Sequence, residues 1–138
     1  MARDASLVLH DGNVTANGAG STVSTEGGFR ADVSVYVGTV TGTSPTLDIV
    51  VQASLDGGTT YGQIGRFPLL NNTHANSRIA RTVYVPRPNA GQDATLVRLS
   101  FLVGGTSPNF AVKSYLEPLV SLAVPAADEP GQGLAKVV

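Results

Sequence analysis

Phe29-Arg30-Ala31-Asp32-Val33-Ser34-Val35-Tyr36-Val37 alternates without a break. The odd positions hold Phe29, Ala31, Val33, Val35 and Val37, and the even ones Arg30, Asp32, Ser34 and Tyr36. Successive side chains of a strand point to opposite faces, so this period of two marks a strand with one buried and one wetter face. The same pattern returns further along the chain. Leu47, Ile49, Val51 and Ala53 alternate with polar residues, broken only by Val50. Val97, Leu99, Phe101 and Val103 do so around Arg98 and Ser100, and Phe110, Val112 and Leu116 around Ala111, Lys113, Tyr115 and Glu117. Weaker strands are expected at 6–10, 21–26, 61–67 and 79–85, and no segment keeps helical spacing. Seven or eight short strands punctuated by Gly, Pro and Asn predict an all-β chain folded as a single β-sandwich, jelly-roll-like, over residues 1–118.

A partial repeat divides this pattern. Gly42-Thr43-Ser44-Pro45-Thr46-Leu47-Asp48-Ile49 is echoed by Gly105-Thr106-Ser107-Pro108-Asn109-Phe110-Ala111-Val112. Each copy lies between two alternating runs. Gly permits a positive φ, and Pro45 or Pro108 fixes the exit, so each copy reads as a hairpin turn in one of two pseudo-symmetric halves. Beyond Pro118 the periodicity stops. Residues 119–138 carry Leu119, Val120, Leu122, Val124, Leu134, Val137 and Val138, more apolar residues than a solvated tail should hold. An extended C-terminal arm lying on a neighbouring subunit is the expectation.

Composition narrows the function. The 138 residues include no Cys, which excludes a disulfide framework, thiolate metal sites and a thiol nucleophile. Net charge is −1 with 14% charged residues, so neither nucleic acid nor an anionic membrane is an expected partner. The apolar patch after the polar start is too short for a signal peptide, and no run reaches the length of a membrane helix. The chain is expected to stay soluble in the cytoplasm where it is made until it assembles. So thin a charge cover suits a surface that other subunits cover.

Few residues offer chemistry. Ser54-Leu55-Asp56-Gly57-Gly58-Thr59-Thr60-Tyr61 has the pattern S-x-D-x-G-x-T-aromatic, in which Asp and Ser side chains bond to the backbone of a turn and Gly supplies an unusual φ. Asp56, Gly57 and Gly58 are therefore read as structural. His10 and His74 have no ligand partner at metal-binding spacing, and no nucleophile elbow G-x-S-x-G occurs. No catalytic, metal or cofactor site is expected, and the protein is not expected to be an enzyme. Arg66, Arg78, Arg81 and Arg87 crowd into one stretch. Arg81 has the parity of Ile79, Val83 and Val85, which serves either to protect a strand edge or to form an intersubunit ion pair. Arg78, Arg81 and Arg87 join Leu122, Val124, Leu134, Val137 and Val138 as candidate assembly residues.

The stretch from Gly42 to Tyr61, and the later pairing of Val97-Arg98-Leu99-Ser100 with Gly104-Gly105-Thr106-Ser107-Pro108, resemble small structural proteins of tailed bacteriophages. Over residues 33–118 the chain is similar to capsid decoration (cement) proteins, although the aromatic after the DGG turn, often Trp there, is Tyr61 here. The resemblance implies a non-enzymatic virion subunit on the outer capsid surface, made in the host cytoplasm. It implies the major capsid protein as partner, a homo-oligomer, most naturally a trimer, and no catalytic residues. The alternatives are a tail or head–tail connector subunit, or a carbohydrate- or ligand-binding β-module.

Overall fold

The structure is a computed structural model, and it describes residues 7–119. The predicted arm residues Leu122, Val124, Leu134, Val137 and Val138 lie outside the described residues. The strands are β1 (Val8–Val14), β2 (Gly18–Ala19), β3 (Val23–Thr25), β4 (Phe29–Ser54), β5 (Gly62–Arg66), β6 (Leu70–Asn71), β7 (Ser77–Val85) and β8 (Thr95–Pro118). A short 3-10 turn at Asn72–His74 joins β6 to β7.

Two strands are far longer than expected. β4 runs for 26 residues and β8 for 24, against a usual strand of about five or six. They pair with each other, antiparallel, from Ala31↔Pro118 to Ser54↔Leu96, and form the central ribbon. Each of the two GTSP strings sits inside one of them. Pro45 and Pro108 therefore do not close hairpins, as the sequence led us to expect. The strings face each other across the ladder, with Thr43 opposite Thr106 and the register broken on both sides. Paired bulges bend the ribbon into a corner at which both strands pass from one sheet to the other. Gly42 (φ 116°) and Gly105 (φ 94°) are tight there, and so are Ser44 (φ 48°) and Ser107 (φ 49°). A Cβ on Gly42 would stand 2.7 Å from the Ser107 carbonyl oxygen, and one on Gly105 would strike the Ser44 carbonyl.

The corner makes a sandwich out of one ribbon. On one side of it lie β1, residues 110–118 of β8, residues 29–37 of β4, and β7, in that order. On the other lie β2 and β3, residues 95–103 of β8, residues 46–54 of β4, then β5 and β6. With each long strand split at the corner, and with β2 and β3 taken as one strand and β5 and β6 as another, the resulting strands have the order of a jelly roll. The two sides are also related by a pseudo-two-fold axis. It exchanges the pairs Thr41↔Asn109 and Thr46↔Gly104, Val37↔Val112 and Ile49↔Phe101, and Asp32↔Glu117 and Ser54↔Leu96.

The predicted inner faces close on one core. Val33, Val35 and Val37 are buried with Leu47, Ile49, Val51, Val97, Leu99, Phe110, Val112 and Leu116, and with Leu9, Phe67, Leu70 and Val85 from the flanking segments. The rims close too. The amide of Ser21 donates to the Leu9 carbonyl at 2.8 Å, which ties the β2–β3 link to β1. Gly65 lets β5 approach β7, since a Cβ there would lie 2.5 Å from Val83 Cγ1.

Candidate functional site

The outward positions of the sheet that carries β1 and β7 form rows across its strands. One row runs Asp11, Lys113, Tyr36, Arg78, and the next Tyr115, Ser34, Ala80. Beyond them come Glu117, Asp32 and Thr82, then Arg30 and Tyr84. Three of the chain's four tyrosines therefore share this face. The Tyr36 and Tyr115 rings meet edge to face with centroids 6.0 Å apart. Arg78 lies 5.4 Å from the Tyr36 centroid, donates to its hydroxyl at 3.0 Å, and stands 3.8 Å from a Glu117 oxygen. The Thr82 hydroxyl donates to Asp32 at 2.6 Å. Ser34 is fully buried beneath these side chains, whereas Tyr84 is 56% exposed.

The opposite sheet presents a different surface. Arg66 forms an ion pair with Asp48, whose carboxylate raises the pKa of the guanidinium by hydrogen bonding and by its charge. Arg98 stacks on the Tyr61 ring, with Cζ 3.6 Å from the centroid, and donates to Gln52 at 2.9 Å. Between these pairs lies a shallow hollow of about 560 Å³, bordered by Asn17, Val50, Ser100 and the exposed Leu102.

The Asp56 turn is a closed hydrogen-bond system. Ser54 donates to Asp56 at 2.8 Å and accepts from the Gly58 amide at 2.8 Å, while Thr60 donates to Asp56 through its amide (2.9 Å) and its hydroxyl (2.6 Å). Gly57 and Gly58 have φ of 77° and 96°. Donation from the Thr60 hydroxyl, then from its amide and from Ser54, lowers the Asp56 pKa from 3.8 to about 2. All the acceptor capacity of Asp56 that these bonds use is spent inside the turn.

The arginines that crowd together in sequence do not meet in space. Arg66 and Arg78 occupy the outer faces of different sheets. Arg81 sits opposite Val33 with inward parity, yet it is exposed, because β7 is an edge strand whose side chain can clear the rim. The Arg87 side chain lies along Gly28, where a Cβ would be 2.8 Å from its Cγ. Neither histidine assembles a site. His10 packs edge-on against Phe101 at 4.8 Å, and the His74 ring accepts from the Asn71 amide at 3.1 Å. Among the described residues no three His, Cys, Asp or Glu are grouped so as to hold a metal ion, and no helix is long and apolar enough to cross a membrane. The tyrosine face was missed in the sequence although each tyrosine has outward parity there.

No family model matches the chain, and no curated protein matches it. Among solved structures it is similar to the N-terminal cellulose-binding domain of β-1,4-glucanase C from Cellulomonas fimi, with a TM-score of 0.50 and 16% identity. The match covers 83% of this chain and 78% of that one, and it is a likeness of fold.

Proposed function

We propose that the protein is a non-enzymatic virion subunit, a capsid decoration protein that binds the major capsid protein and stabilises the shell from outside. The observation that supports this reading is the overlap between the phage-like segment, residues 33–118, and the ribbon that organises the fold: both GTSP strings of the resemblance form its corner. Such a subunit works through extended surfaces. Many modest contacts, each held on a fixed lattice, add up to a stable coat. A homo-oligomer, as a trimer, belongs to the same reading. The test is a mass-spectrometric count of copies in purified particles, with co-sedimentation of recombinant protein onto particles lacking it. Hundreds of copies and saturable binding are expected. A handful of copies would move the protein to the tail or connector, and its absence from the particle would overturn the reading.

A second reading, a glycan-binding module, is favoured by the gathering of Tyr36, Tyr84 and Tyr115 on one outer face. Tyrosine rings offer flat apolar surface with a polar tip, which suits a sugar's C–H face and hydroxyls. The fold likeness is to a domain named for binding cellulose.

A further inference from the structure

The tyrosine face has a notch near the corner. Asp11, Lys113 and Tyr36 stand abreast in register on three adjacent strands. One step closer to the corner the side chains shrink. Asn13 is paired with Ala111, and Gly38 lies beside it, where even a Cβ would stand in close contact with the Ala111 Cβ, at 3.4 Å. These small residues leave a hollow of about 300 Å³, with Tyr36 as one wall and Asp11, Asn13 and Lys113 at its rim. The volume is at the lower end for a small-molecule site. Arg78 and Tyr115 hold the Tyr36 ring in place, so the wall is formed before any ligand arrives.

We infer that this notch binds one pyranose residue of a glycan, an inference that rests on the glycan-binding reading and names its site. The rim chemistry selects the ligand class. A free anion would meet Asp11 and a free cation would meet Lys113, while an apolar molecule would strip water from both without replacing its hydrogen bonds. A neutral polyol avoids all three penalties. Its adjacent hydroxyls donate to the Asp11 carboxylate and the Asn13 carbonyl and accept from the Lys113 ammonium and the Asn13 amide. The C–H face of the ring then covers Tyr36.

Saturation-transfer NMR with methyl glycosides of glucose, galactose, mannose and N-acetylglucosamine tests this, at about 10 mM, above the millimolar Kd of a shallow site. At least one glycoside should show saturation transfer, and in amide correlation spectra of the protein the shifts it causes should be confined to Asp11, Asn13, Gly38 and their neighbours. Ala111→Leu fills the notch and should abolish binding; Asp11→Ala, at an exposed position, should weaken it roughly tenfold with unchanged melting. Binding that survives both variants but is lost in Tyr84→Ala would overturn the notch and leave the glycan reading standing. No binding of any glycoside, together with no retention on insoluble cellulose, would overturn both.

Discussion

Residues 47–54 and 110–117 occupy equivalent places on the two sides of the corner, and they differ by face. Inward, Leu47 matches Phe110, Ile49 matches Val112 and Ala53 matches Leu116, all buried and apolar; only Val51 against Ser114 breaks the series. Outward, Asp48 stands where the other side has Ala111, Val50 where it has Lys113, and Gln52 where it has Tyr115. The shared frame dictates what fills the core, because both sides close on one volume and a polar or mis-sized residue there is costly. It places no such demand on the outside. Differences between the halves are therefore where a binding role has room to arise, and the notch over Ala111 is one of them: its counterpart Asp48 is tied to Arg66.

The corner is where this equivalence is easiest to break. Gly42→Val and Gly105→Val each put a β-branched side chain at a positive φ, against a carbonyl of the partner strand. Each should cost about 1–3 kcal/mol, read by urea unfolding with an unchanged slope. Similar losses at both sites are expected; a loss at one alone would mean that the corner is not symmetric in its energetics.

Ser114 tests the inward exception. Its hydroxyl is buried without a hydrogen-bond partner, beside Val35 on the core side of β8. Ser114→Ala should raise stability by about 1 kcal/mol, because a desolvated polar group is removed without a bond being lost. A destabilised variant would show that the hydroxyl has a role in the core.

The smallest effect is an acid dependence confined to one half. The folded-state pKa of Asp56 lies below its ordinary 3.8, at about 2, so the carboxylate is favoured by folding. That contribution is complete above pH 3.8 and is lost as pH falls from 3.8 towards 2. Melting temperature should fall across that window in the wild type, and fall less in Asp56→Ala. Parallel acid profiles would mean that the turn bonds do not favour the ionised form.

Local signals were legible in the sequence. The alternation at Ala31–Val37 and Leu47–Ala53 identifies the inner faces because parity is a property of neighbouring residues. The Asp56 turn could be read because its hydrogen-bond partners, Ser54, Gly58 and Thr60, lie within a few residues. Partners distant in sequence could not. A Gly-Thr-Ser-Pro string has the same composition whether it reverses the chain or bends a ribbon, and the choice depends on Thr43 finding Thr106. Tyr36, Tyr84 and Tyr115 each had the right parity, but only the strand order puts them on one surface. The notch was hidden for a further reason, since Gly38 and Ala111 carry no chemistry and matter only through the side chains they lack.

The central ribbon also governs how the chain can be born. In the sheet ladder every other strand pairs with β4 or β8, and β8 is the last of them to be synthesised. While the residues after Thr95 are still inside the ribosome, β1, β2 and β3 have no ladder partner, and β4 keeps one edge open along its length. Folding must then wait for contacts between distant segments, the slow route for a β-protein. The valine-rich run Val33–Val37 then has β7 along one edge and no partner along the other until β8 emerges, a period in which aggregation competes with folding.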